Sequence, residues 1–367
     1  MAPYIITFFI SGVLMTLGTR TLKNQTKLIR YFIVFLAILV PSILAGLRDF
    51  SVGTDVLVYG NPWFNYARNY ANFKDYVDFA GINSINYLYA VFNFIVSRFT
   101  GNAHWFYFLL SFIENIIVAD SLYKNRDIVS VENGWLTYLF LFFNFTLNIL
   151  RQSLALVILL WGFWYIRKQK LIPYLLVLIV ATLCHSTAII GIIPYLVYFM
   201  MTKISNERLR SLSALGVGII FVAVFKAVGP FLATSDLVDS RYSIFLNNAQ
   251  NVNVQGRIYL LYLPILIFYF ISRIKTKENV FFETIILVPT LMSIFISLPF
   301  LSRLSAYFTI YFCFAWPYVF EHGLHIKVES RNLNEILLIL YLLLYWIIIY
   351  GILNNGQTIP YIFYNVI

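Results

Sequence analysis

Residues 135–166 read WLTYLFLFFNFTLNILRQSLALVILLWGFWYI. Two apolar runs, 135–150 and 152–166, meet at Arg151 with no proper loop around it. A spanning helix needs roughly 20 mostly apolar residues, so each run is a candidate crossing and Arg151 stands at the end of both. An arginine at a helix centre costs about 2.5–3.5 kcal/mol unless it is paired or hydrated. The structural alternative is an arginine snorkelling to the headgroups. Its polar neighbours Asn148 and Gln152 favour a working role.

Outward from this pair, apolar runs at 3–19, 31–47, 103–122, 171–184, 187–201, 211–231, 257–272, 280–299, 304–320 and 334–353 raise the expectation to about twelve crossings. The fold class is therefore all-α, a polytopic transmembrane helix bundle. Composition agrees, with 60% apolar, 19% aromatic and 11% charged residues among 367. Soluble domains carry about 25% charged residues. A soluble enzyme, a disordered chain, a coiled coil and a secreted disulfide scaffold are thereby excluded. No linker is long enough for a separate soluble domain, so 1–367 is expected to form one integral membrane domain. The first run starts almost at Met1 and lacks a basic stretch or an A-x-A-like site, the pattern of a retained span. Cys184 and Cys313 read as small buried residues, since each lies in or beside an apolar segment.

The net charge of +10 is distributed as topology. Six clusters follow apolar runs: Arg20, Lys23, Lys27 and Arg30; Lys124 and Arg126; Arg167, Lys168 and Lys170; Lys203, Arg208 and Arg210; Arg273, Lys275 and Lys277; Lys327 and Arg331. They hold 17 of the 26 basic residues, and the positive-inside rule makes them cytoplasmic. Both termini then lie outside. The stretch 84–99 cannot be a simple crossing without breaking the alternation; either it is re-entrant or interfacial, or a second crossing hides within 56–73. Asn83, Asn86 and Asn93 favour the half-inserted form. Outside remain Arg48, Arg68, Lys74, Arg98, Arg151, Lys226, Arg241, Arg257 and Arg303.

Four of these outer arginines, Arg48, Arg151, Arg257 and Arg303, stand at span ends. Arg48 opens a segment that runs through Gly53-Thr54-Asp55 to Tyr59. Its guanidinium suits phosphate, although an interfacial Arg–Asp pair capping a helix would look the same. His185, in Cys184-His185-Ser186-Thr187, can take or give a proton near neutrality, or serve only as a structural hydrogen-bonder. Arg303 and Tyr307 repeat the pattern of an outer arginine between apolar runs. The outer loops 48–83 and 232–256 lie over this side, the second carrying Asp236, Asp239, Arg241 and Tyr242; it is a lid or a plain connector. At depth stand Glu114 and Lys226, a structural pair or part of a proton or ion path. His104, His322 and His325 receive no role. Together the arginines, Asp55 and His185 describe an outward-facing cationic pocket suited to a lipid-linked phosphate or diphosphate. No DxD-type metal site stands on that side, so neither a metal nor another cofactor is expected.

The run Gly46-Leu47-Arg48, Gly53-Thr54-Asp55, Tyr59, then Asn148, Arg151-Gln152, Ala155, then His185-Ser186-Thr187-Ala188, then Ser302-Arg303, Tyr307-Phe308 resembles the EpsG family, which belongs with the Wzy-type polysaccharide polymerases. The likeness covers nearly the whole chain, and its specificity comes from all four short motifs standing in order. It departs at Ile82–Tyr87, where the family's acidic residue and proline are absent. The resemblance implies a GT-C-like bundle in the bacterial cytoplasmic membrane. It also implies a glycosyltransferase that joins undecaprenyl-diphosphate-linked oligosaccharide repeat units at the outer face, with a chain-length regulator and a flippase as pathway partners.

On that reading Arg48, Arg151, Arg257 and Arg303 bind the diphosphate. His185 or Asp55 takes the acceptor proton, with His185 preferred and Asp55 as its orienter or a sugar ligand. Tyr59, Gln152, Arg241 and Tyr307 contact sugar. A single inverting displacement is the simpler expectation. The rivals are a flippase or transporter, a single-step polyprenyl-phosphate glycosyltransferase, a ligase and an acyltransferase. A flippase needs a polar path through the whole bilayer, and an acyltransferase would want its histidine facing the cytoplasm.

Overall fold

The computed structural model describes residues 1–22, 24–82, 86–234, 259–272, 277–295, 301–323, 327–328 and 331–364. The described residues form helices and their connections, with a short hairpin pairing Lys327–Val328 with Arg331–Asn332. Among the described residues, five helices are long and apolar enough to cross a membrane: Ala2–Thr21, Lys27–Gly46, Ala103–Lys124, Ser186–Lys203 and Asn334–Ile352. Helical spans satisfy every backbone polar group internally, which lipid requires. The helices fall into two compact units, Met1–Tyr165 with Ile172–Ile189 and Glu335–Ile367, and Ile166–Leu171 with Ile190–Asn334.

In the first unit, α1 (Ala2–Thr16) continues as a wide π turn to Thr21 and packs on α2 (Lys27–Gly46). Between them and the C-terminal helix Asn334–Trp346 lies an aromatic core. Tyr4 meets Tyr361 edge-on at 5.3 Å and Phe8 meets Phe140 at 5.1 Å, with Phe143 and Trp346 closing the cluster. Such edge-to-face pairs contribute about 0.5–1.5 kcal/mol beyond burial. Lipid gives no hydrophobic drive between helices, so polar links also matter. Trp135 Nε1 donates to Ser11 Oγ at 2.9 Å, and Asn115 donates to Ser42 at 2.9 Å.

The stretch 48–83 carries helices of its own. A wide turn Val56–Gly60 leads into α3 (Asn61–Asn69), followed by α4 (Phe73–Phe79). Next, α5 (Tyr87–Phe99) has 13 residues, a length of about 20 Å at helical rise, short of the roughly 30 Å hydrocarbon core. It packs on α3, and α4 joins them around Ala67, Tyr76, Val77 and Ala90, under Trp63 and Phe94. This small aromatic-rich core has its own centre and leans on the helix Ala103–Lys124, where Phe106 meets Phe64, Tyr89 and Phe92.

Beyond α6 (Ala103–Lys124), α7 (Val131–Tyr138) widens at Leu139–Phe143 and resumes as α8 (Asn144–Asn148). Ile149, with ψ 73°, breaks the helix, and α9 (Leu150–Arg167) starts immediately after it. A further helix, α10 (Leu171–Cys184), runs into a 3₁₀ segment, Ser186–Gly191. In the second unit, the helix Lys277–Phe295 packs against Ile192–Lys203, Glu207–Thr234, Tyr259–Ser272 and Leu301–Thr309. The expected loop 232–256 lies outside the described residues beyond Thr234, and so do Arg241 and Arg257.

Candidate functional site

The break at Ile149 organises the site. Helix ends leave carbonyls without intrahelical partners. Here Leu147 O accepts from Arg48 Nη1 at 2.5 Å. Asn148 turns its Oδ1 to the segment after α2, accepting from Thr54 Oγ1 at 2.9 Å and from the Asp55 amide at 3.2 Å. Gly53 makes this approach possible. Its φ is +97°, and a Cβ there would stand 2.7 Å from Leu147 O.

Arg48 is buried, 1% exposed, with its guanidinium 4.6 Å from the Tyr107 ring centroid. Tyr107 in turn donates to Asn61 Oδ1 at 2.6 Å. Gly60 lets α3 sit this close, since a Cβ would come within 2.6 Å of the Tyr107 hydroxyl. Asp55 is buried as well and accepts a short hydrogen bond from the Tyr59 hydroxyl one helical turn on.

Arg151 lies in the first turn of α9. Its guanidinium carbon stands 4.3 Å from the Tyr59 ring centroid and 4.8 Å from that of Trp63. Among the described residues its Nε has no acceptor and no carboxylate pairs with it. Gln152 is buried beside it in sequence. Deeper along α9, Ser153 donates to Glu114 Oε1 at 2.6 Å. The side chain of Lys226, the other half of the Glu114 pair expected above, lies outside the described residues.

His185 follows α10, 9% exposed, with its amide donating to Ala181 O and its carbonyl accepting from Ala188. Arg303 and Tyr307 occupy one helix of the second unit, Leu301–Thr309, a turn apart. Arg303 is half-buried and Tyr307 fully buried. Of the expected site residues, Arg48, Asp55, Tyr59 and Arg151 are thus tied by direct contacts to the break or to each other. Among the described residues, no group of three or more His, Cys, Asp or Glu side chains could hold a metal.

Two participants escape a reading of motifs. One is Trp63, whose signal was its spacing of four from Tyr59 on one helical path. The other is the chain beyond the last helix. Gly53 N donates to Gln357 O at 3.1 Å, Asp49 N to Ile362 O at 2.8 Å, and Tyr364 N to Leu47 O at 2.8 Å. Asn144 Nδ2 bonds Thr358 Oγ1 at 2.9 Å, and the Tyr4 hydroxyl bonds Thr358 O at 2.7 Å. No sequence pattern announces a strap of this kind.

No curated protein and no solved structure matches the chain. The EpsG family model matches residues 5–363, nearly its whole length. With its membrane-competent helices, the chain is a multi-pass membrane protein of polysaccharide biosynthesis and belongs to the EpsG family.

Proposed function

We propose that the protein polymerises polysaccharide from undecaprenyl-diphosphate-linked repeat units at the outer face of the bacterial cytoplasmic membrane. The observation that carries this reading is Arg151, a guanidinium beside a helix break with no carboxylate partner among the described residues. An arginine at membrane depth without a counterion is costly, and an anionic ligand offsets that cost. The family supplies the carbohydrate context. We take the bundle to cross the membrane about twelve times in a GT-C-like arrangement, with the basic clusters inside.

In this mechanism the anomeric carbon of the nascent chain loses its bond to the lipid diphosphate. A hydroxyl oxygen of the incoming repeat unit bonds that carbon in one inverting step. The hydroxyl proton passes to His185, oriented by Asp55. Arg151 and Arg303, with Arg257, stabilise the negative charge that grows on the departing diphosphate; one well-placed donor is worth about 2.7–4 kcal/mol. Arg48 spends a donor on Leu147 O and is buried, so we give it the positioning of the break between α8 and α9. Gln152, Tyr307 and Arg241 remain for the sugars. A flippase and a chain-length regulator are the partners we expect in the pathway.

The test uses purified protein in detergent with chemically defined undecaprenyl-diphosphate repeat units, and products resolved on a gel. A ladder that is lost in Arg151→Ala and His185→Ala supports the reading. A single added sugar instead indicates a one-step transferase. Folded protein that lengthens nothing from its cognate substrate removes the polymerase reading.

A further inference from the structure

We infer that Trp63 is a positioning residue that, with Tyr59, seats the Arg151 guanidinium in an aromatic corner and leaves its terminal N–H donors for the diphosphate. The inference rests on the reading of Arg151 as a diphosphate ligand. A guanidinium carries five N–H donors, all in its plane, and no acceptor. A carboxylate partner would use two of those donors and cancel the charge. An aromatic face attracts the cation through its quadrupole and uses neither.

The geometry fits that division. Both ring centroids lie within cation–π range of the same guanidinium carbon, at 4.3 and 4.8 Å. The two rings are themselves 6.1 Å apart and inclined by 56°, so they form a corner and not a stack. Trp63 is braced from behind by Tyr89, at 5.9 Å, and Tyr89 is fully buried. Tyr59 is held by its hydroxyl on Asp55. The corner is therefore fixed on both sides; Arg151 Nε is buried without an acceptor among the described residues, so the donors left for the anion are those of the terminal nitrogens. Long, flexible arginine side chains lose binding energy to rotamer freedom, and a fixed corner removes that loss before the ligand arrives.

The experiment replaces Trp63 by tetrafluorotryptophan through site-specific suppression. Fluorination keeps the shape and removes most of the ring quadrupole, so packing is unchanged and cation–π attraction is lost. The probe is undecaprenyl diphosphate titrated onto the detergent-solubilised full chain. Binding should weaken about five- to tenfold with the fluorinated residue, and Trp63→Leu should weaken it at least as much, with Trp63→Tyr recovering part. Equal affinity for the fluorinated and ordinary proteins overturns the aromatic seat, as does a wild type that binds no undecaprenyl diphosphate. Displacement by equimolar phosphatidylglycerol would also overturn it, because the anion would then be an ordinary lipid headgroup. Binding that follows the fluorine series in a protein that builds no ladder ends the polymerase reading and keeps the aromatic seat.

Discussion

Arg48 donates to the carbonyl oxygen of Leu147 at 2.5 Å, joining residues 99 positions apart in the chain. Leu147 is the penultimate residue of α8, where helical partners run out. Replacing Arg48 by Ala strands that carbonyl, which costs about 1–3 kcal/mol when buried, and leaves a cavity besides. The melting temperature in detergent, followed by tryptophan fluorescence, should fall by several degrees. An unchanged midpoint would mean that Leu147 O finds another donor.

Gly53 and Gly81 separate two ways of needing glycine. Both have positive φ, +97° and +62°. A Cβ at Gly81 meets nothing within 4 Å, whereas at Gly53 it would press on Leu147 O at 2.7 Å. Gly81→Ala should cost only the left-handed penalty, about 1–2 kcal/mol. Gly53→Ala should cost clearly more and lower accumulation of folded protein. Equal midpoints for the two variants would refute the tight contact between 53 and 147.

Arg151 and Arg98 should behave oppositely. Arg98 donates to Tyr70 O at 3.0 Å and to Ala67 O, and lies over Phe94, so it staples α5 to α3. Arg98→Ala should lower stability and leave most of the elongation rate of the folded fraction. Arg151→Ala should leave the melting point near wild type and cut elongation about 10²–10³-fold. Rates normalised to folded protein from size-exclusion chromatography decide the matter.

Acid should expose the turn after α2. The Asp49 carboxylate accepts from the Ser51 hydroxyl at 2.7 Å and its amide at 2.9 Å, and these bonds hold it below the ordinary value of 3.8. A carboxylate depressed in the fold stabilises above its unfolded value and loses that contribution as pH falls through the folded one. Between neutrality and pH about 5 its contribution stays flat, and it declines only below about 4. In Asp49→Asn the part of the acid slope due to this group should vanish. The effect is small because the group faces solvent.

The helical class and the polar seam at Asn148–Gln152 were legible because charge is rare in so apolar a chain. Asp55 and Gly53 were legible as a turn, since a Gly-Thr-Asp run between apolar stretches has few other uses. The helices in 56–79 were not legible. Trp63, Tyr66 and Tyr70 do keep a helical spacing, but Asn61, Asn65, Arg68 and Asn69 around them break the apolar run by which a membrane helix is recognised. The reach of residues 353–364 back to Leu47 and Gly53 was invisible for a different reason. Those contacts are backbone to backbone and leave no mark on residue type.

The strap formed by Gln357, Thr358 and Ile362 carries a consequence for how the protein comes into being. These residues leave the ribosome after all the helices described above have been made. Until then Gly53 N and Asp49 N lack their acceptors. The residues that hold the segment 47–53 thus follow every helix described above in the order of synthesis. A chain cut short after Leu353 would keep every described span and lack the acceptors of Gly53 N and Asp49 N.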